Sequence, residues 1–318
     1  MCGEWSASDR TRREQLTFLD GSECLERTIR ILIAMPHFFD RDGSDKTNRS
    51  RQASAREERL RSLIAAISGP HQAMGTATYG LDHEHAKAQR MHSSQPHTID
   101  LVVCTTGDKH LIPEIQSVSP LFHHHPTGAE PIMLGFECHK LLRDARGRYD
   151  YYAFVEDDVV ITDPLFFRKL RVFDQHFGFH ALLQPNRYEV LPTGPVNKLY
   201  VDYKMRAGVT AQYQNIADTP HLEMPFLDEA IGFERSTYPS AGCFFLNAEQ
   251  LDYWAGSPNF LDGDVSYLSQ LDSAVTLSVM KTFRIYKPRL EQAWFLEVLH
   301  ASPRWIGSVT NIASLVER

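Results

Sequence analysis

Three consecutive carboxylates, Glu156-Asp157-Asp158, follow the apolar and aromatic run Tyr149-Asp150-Tyr151-Tyr152-Ala153-Phe154-Val155. A β-branched run, Val159-Val160-Ile161, comes directly after them. The first run predicts a buried strand, so its end crowds like charges together at the edge of an apolar interior. That crowding is costly unless a cation neutralises it. Mg²⁺ and Mn²⁺ are hard ions that prefer oxygen ligands of this kind. The triplet therefore reads as a metal site for a phosphate-bearing substrate. The plainer alternative is a solvated acidic turn, with Asp163-Pro164 starting the next helix.

Other segments must bring partners to this tip. Ile29-Arg30-Ile31-Leu32-Ile33-Ala34-Met35 is a short apolar run stopped by Pro36 and predicts a first buried strand. Asp40 to Arg51 is polar, as a loop over a site would be. Ala53 to Ile67 predicts a helix, with Leu60, Leu63, Ile64 and Ile67 at helical spacing and Gly69-Pro70 as its stop. His71 to His97 has little periodicity and reads as a surface insertion. Asp100 to Asp108 predicts a second strand running into a loop. Met133 to Ala145 predicts a second helix, with Phe136, Lys140 and Arg143 near one side and Gly147 closing it.

The order strand, helix, strand, helix, strand predicts an α/β fold with a mostly parallel sheet covered on both faces. Ligands of such sheets sit at the carboxyl ends of the strands. Pro36, Thr105-Thr106 and the acidic triplet all fall at predicted strand ends and should converge on one crevice. Farther along, Pro185 to Phe226 is irregular and rich in tyrosine. Ser240 to Asn247 is a small-residue turn entering a strand. Gln270 to Phe283 predicts a helix and Arg284-Ile285-Tyr286 a final strand.

The chain has 318 residues, 42% hydrophobic and 23% charged, which suits one elaborated domain. A net charge of −7 argues against a broad nucleic-acid-binding face, so an anionic substrate would need a metal or a few local cations. The five cysteines, at 2, 24, 104, 138 and 243, lack paired spacing, which fits a reducing compartment. No segment approaches the ~18 apolar residues of a membrane span. The N-terminus lacks the apolar core of a secretory signal. The expected setting is a bacterial cytoplasm, with peripheral membrane contact or a removed N-terminal anchor left open.

An apolar strand ending in Glu-Asp-Asp resembles the DxD motif of GT-A fold glycosyltransferases. Further features follow in that family's order: a strand near the N-terminus opening into a loop, a helix bearing Lys140 and Arg143, the small-residue loop Ala241-Gly242-Cys243, then Asp272 and His300. The resemblance covers roughly residues 29 to 305 as scattered short motifs. It implies a Rossmann-like mostly parallel central sheet with helices on both faces and a C-terminal acceptor-side extension. On that basis residues 1–28 are a polar lead-in, 29–165 the nucleotide-sugar half and 166–318 the acceptor and catalytic half. It also implies transfer of a sugar from a nucleotide diphosphate donor to a hydroxyl of a glycan or other acceptor, with Mn²⁺ or Mg²⁺.

The resemblance distributes roles. Asp158, the last acid, is the expected metal ligand, with Glu156 and Asp157 leaning toward ribose and donor sugar. His300 is the expected late metal ligand, since Mn²⁺ accepts a neutral imidazole nitrogen. Asp272 is the candidate general base of an inverting transfer, in a Leu271-Asp272 pair where the family usually shows Glu-Asp. The bland reading of Asp272 is a helix cap or first-turn acid. Asp262, Asp264, Asp228, Glu229 and Glu234 compete for the base, and a retaining enzyme needs none. Arg143 and Lys140 are expected to offset diphosphate charge, Asp108 to meet the nucleoside, Arg41 to reach over the donor, and Pro36 to border its site. His123-His124-His125 reads as loop, because adjacent residues do not easily aim three rings at one ion. The competing functions are a metal-dependent phosphohydrolase or nucleotidyltransferase, and a non-catalytic nucleotide-sugar or glycan binder.

Overall fold

A computed structural model of the protein describes residues 28–45, 48–91, 97–191 and 196–306. The predicted lead-in, apart from Thr28, and Cys2 and Cys24 lie outside the described residues. Strand β1 (Ile29–Pro36) buries every residue but Arg30. Helix α1 (Arg56–Met74) follows, then the hairpin β2 (Tyr79–Asp82) and β3 (Lys87–Arg90), then β4 (His97–Thr106) and β5 (His123–Thr127). Helix α2 (Leu134–Asp144) leads to β6 (Tyr151–Val155), the acidic triplet and the two-residue β7 (Val159–Val160). Next come α3 (Phe166–Phe177), β8 (Ala181–Leu183), β9 (Asn186–Val190), β10 (Lys198–Tyr200), β11 (His221–Phe226) and β12 (Glu229–Arg235). The chain continues through β13 (Cys243–Asn247) and α4 (Ala248–Ala255) to a segmented helix, α5, made of Gln270–Asp272, a π-helical turn Ser273–Leu277 and Ser278–Thr282. Strands β14 (Arg284–Pro288) and β15 (Glu297–His300) complete the order.

The central sheet runs β13-β6-β1-β4-β5. Strands β6, β1, β4 and β5 are parallel, and β13 closes the edge antiparallel to β6. Ile33 of β1 stands beside Leu101 of β4 and Ala153 of β6, so the three carboxyl ends reach one rim. Side chains alternate across a strand, and β1 feeds two cores accordingly. Ile31, Ile33 and Met35 pack with Leu63 and Ile67 of α1 and Phe167 of α3. Leu32 and Ala34 pack with Cys138 and Leu142 of α2, Trp254 of α4 and Val275 of α5. The mixed α/β fold with a parallel sheet and helices on both faces is the one expected.

Two four-stranded sheets, β10-β9-β15-β7 and β11-β12-β14-β8, flank this layer. The first matters most, because β7 leaves the triplet and pairs antiparallel with β15, opposing His300 to Val159. The Ala301 amide donates to the Asp158 carbonyl at 2.8 Å. A late histidine is thereby carried back to the acids.

Four local expectations are corrected. Helix α1 does not stop at Gly69-Pro70 but runs to Met74. Pro70 gives up one amide donor and crowds the preceding turn without ending the helix, and Gly69 serves close packing instead: a Cβ there would lie 2.5 Å from Val160 Cγ1. The stretch from His71, read as a surface insertion, opens with the last turn of α1 and continues as the exposed β2–β3 hairpin. His123-His124-His125 is no loop; it lies on edge strand β5, paired with Val102, Val103 and Cys104. Arg284-Ile285-Tyr286 belongs to β14 but is not the final strand, since β15 follows it.

Candidate active site

The rim of the sheet holds two neighbouring cavities, of 520 Å³ and 330 Å³. They share Asn48, Ser50 and Leu271 as walls. Asp157 lines the larger and Asp158 the smaller. Consecutive residues at a strand end point in different directions, so one dipeptide serves both spaces.

Both acids are met by a cation the sequence reading missed. Arg59, on the buried face of α1 with Ser62, Leu63 and Ala66, reaches under the rim. Its Nη1 donates to Asp158 Oδ2 at 2.7 Å and its Nη2 to Asp157 Oδ1. The far oxygen of Asp157 accepts from His37 Nδ1 at 2.5 Å. The Leu111 amide donates to His37 Nε2 at 3.0 Å, which fixes the proton on Nδ1. Burial alone would raise the Asp157 carboxyl; Arg59 and His37 outweigh it and hold it below its ordinary value.

Asp158 is also pulled well below the carboxylate range, against its burial, by His300 and Arg59. His300 Nε2 stands 3.5 Å from Asp158 Oδ2. Its other nitrogen donates to Glu189 Oε1 at 2.7 Å. Glu189 is itself fixed by the amides of Arg304, Trp305 and Ile306. Burial opposes a charge on His300, but Asp158 and then Glu189 prevail and push it up to about 9.

Glu156 sits behind Arg187, whose Nη1 is 3.7 Å from Glu156 Oε2 and whose Nε and Nη2 hold Asp202 at 2.8 and 3.1 Å. Burial pushes Glu156 up to about 8 in spite of Arg187, and Asp158 adds to the rise. The Glu156 amide donates to the Gly242 carbonyl at 2.8 Å. Gly242 adopts φ +64°, and a Cβ there would come within 2.8 Å of Glu156 Oε2. The small-residue loop singled out in the sequence thus closes against the triplet.

Asp272 reaches the smaller cavity together with Asp158, Arg59, Arg187 and His300. It stands in the first turn of α5, where its amide donates to Ser269 Oγ at 3.1 Å and Ser269 Oγ donates back to its Oδ2 at 2.5 Å. The capping role and the cavity position coexist. Burial raises its carboxyl, with the Ser269 bond opposing.

Mn²⁺ or Mg²⁺ has a limited but chemically apt set of groups here. Asp158 Oδ1 is buried with no hydrogen-bond partner among the described residues, which is unusual for a carboxylate oxygen. His300 is oriented through Nδ1 by a buried carboxylate, the arrangement that fixes metal-binding imidazoles. Among the described residues no three His, Cys, Asp or Glu are arranged to hold a metal. A pair of ligands suits an ion that takes its other oxygens from substrate phosphates and water.

Several expected residues lie elsewhere. Lys140 pairs with Glu137 at 2.7 Å and Arg143 with Asp144 at 2.9 Å, and neither lines a cavity. The apolar face of α2 turns to the sheet, which leaves its basic side in water. Asp108 is exposed after β4 and lines neither cavity. Arg41 pairs with Glu114 at 3.0 Å. Asp262 and Asp264 are held by Lys281, and Asp228, Glu229 and Glu234 belong to the β11–β12 hairpin region, away from both cavities. Pro36 does border the larger cavity, with Phe38, Pro131, Ile132 and Leu134. Of the missed residues, Arg59 left a signal: a charge four residues before Leu63, on the apolar stripe of its helix. Arg187 and Glu189 left none.

No protein-family model matches the chain, and no curated protein is similar to it. Among solved structures, it is similar to that titled "Crystal structure of S. aureus TarS", with 10% sequence identity and a TM-score of 0.37. The match covers 82% of this chain and 35% of that one, so the chain spans about a third of that structure's length. A likeness this distant bears on neither mechanism nor substrate. No helix among the described residues is long and apolar enough to cross a membrane.

Proposed function

We propose that the chain is a metal-dependent glycosyltransferase of the GT-A type, moving a sugar from a nucleotide diphosphate donor to an acceptor hydroxyl with inversion. One observation carries this reading: the unpartnered Asp158 Oδ1 beside an imidazole oriented by Glu189, in the lining of the smaller cavity. The larger cavity offers an apolar slot, Pro36, Phe38, Pro131 and Ile132, for a nucleoside, with Asp157 at its inner end. Asp272 and Asp158 both line the smaller cavity, which would admit the acceptor hydroxyl.

Asp158 and His300 would hold the ion, whose chemistry is to neutralise charge on the departing nucleoside diphosphate. Arg59 and Arg187 keep the acids ordered beneath it. Asp272 takes the proton from the attacking hydroxyl; a carboxyl raised by burial is a stronger base than one in water.

Isothermal titration with a panel of nucleotide sugars, with and without Mn²⁺, tests the proposal. Wild type should bind one donor far more tightly with the ion present, and Asp158→Asn should lose that dependence. Donor affinity that ignores both the ion and the substitution would overturn the assignment.

A further inference from the structure

We infer that Arg59 is a resident counter-ion that keeps a divalent cation from settling on the acids until a diphosphate arrives, so that metal and donor load as one unit. This rests on the metal-dependent reading above and concerns how that site fills.

Arg59 is a buried guanidinium, its side chain 6% exposed, on a helix that also packs the core beneath β1. It spends one donor on each acid. His37 takes the remaining oxygen of Asp157. One carboxylate oxygen, Asp158 Oδ1, is left without a partner among the described residues, and His300 Nε2, already 3.5 Å from Asp158 Oδ2, would become a second protein ligand only on giving up its proton. Two ligands on a pair already partly neutralised by a guanidinium hold a hard dication poorly, because such ions want several oxygens and a negative field. A diphosphate supplies both. It adds negative charge above Arg59 and oxygens that complete the coordination shell.

The same geometry explains why the acids tolerate burial. Without Arg59 the two buried carboxylates would keep only His37 and His300 beside them, and neither histidine bridges the pair. Arg59 contributes no ligand and touches no reacting atom. It is a positioning residue whose effect appears in the order and affinity of loading.

The test uses the full chain and manganese alone, followed by loss of the free-ion paramagnetic resonance signal and by thermal melting. Wild type should bind Mn²⁺ alone roughly tenfold or more weakly than Arg59→Gln. Mn²⁺ should raise the melting temperature of Arg59→Gln and leave that of wild type unchanged, while Arg59→Lys, which keeps the charge, should follow wild type. If Arg59→Gln does not fold, wild type decides alone: Mn²⁺ by itself should not shift its melting, and Mn²⁺ with UDP or GDP should. The inference is overturned if wild type binds Mn²⁺ alone as tightly as Arg59→Gln does, or as tightly alone as with a nucleoside diphosphate. If neither protein takes up Mn²⁺ even with UDP or GDP, the metal-dependent reading itself falls, a result distinct from those two.

Discussion

The two carboxylate oxygens of Asp158 stand in different surroundings. Oδ2 faces Arg59 at 2.7 Å and His300 at 3.5 Å, while Oδ1 is buried without a partner. Asp272, lining the same cavity, is raised by burial against the opposing bond from the Ser269 hydroxyl. The two carboxyls are thus pushed in opposite directions by their settings, one fixed as an anion and the other made basic. Asp272→Asn preserves shape and removes the ability to accept a proton. Turnover with the true acceptor should fall on the order of 10²–10⁴-fold, with donor affinity unchanged by titration calorimetry. Full turnover in that variant would remove Asp272 from the role. Much at this scale was legible, because acids after a buried run and a late histidine are visible as residue types. Arg187 and Glu189 were not, since the sequence around β9 shows no clear period and each acquires its meaning from a partner distant in the chain.

At the scale of elements, the site depends on close approaches. The loop before β13 meets the triplet only because Gly242 has a left-handed backbone and no side chain. Gly242→Ala would strain that backbone and place a methyl group 2.8 Å from Glu156 Oε2 and 2.9 Å from Val159 Cγ2. It should cost about 1–3 kcal/mol in stability, read as a lower denaturant midpoint; a midpoint equal to wild type would show that the loop relaxes freely. Gly69 plays a similar part where α1 crosses β7, and that crossing sets the height of Arg59. The helix was predictable from its apolar spacing. The purpose of Gly69-Pro70 was not, because close packing and helix termination favour the same residues. The basic side of α2 misled for the converse reason: periodicity marks the buried face and says nothing about which ligand the wet face meets.

At the scale of the whole molecule, the second core holds a histidine among aromatic rings. His139 lies 4.8 Å, centroid to centroid, from Trp254, and its Nε2 donates to the Ala274 carbonyl at 2.9 Å, within the π-helical turn of α5. Burial pushes His139 down to about 4, from an ordinary value near 6.5. Between those values the unfolded chain binds a proton that the folded chain excludes. This contribution to stability is therefore whole above about pH 6.5 and is lost as the pH falls toward about 4. Wild type should lose on the order of 2–3 kcal/mol more than His139→Gln between about pH 7 and about pH 4.5, as urea midpoints would show. Parallel losses in both proteins would mean that other groups govern acid unfolding.

The amino-acid sequence by itself determined the layers of this protein: apolar runs long enough for strands, apolar stripes for helices, and an order that makes the central strands parallel. It also determined that acids would crowd at a strand tip, because side-chain type and strand period are local properties. Only the tertiary structure decided which cations answer those acids. Charge pairing acts through space over a few ångströms, and the chain brings Arg59, Arg187 and His300 to Glu156-Asp157-Asp158 from three separate elements whose meeting no local pattern records.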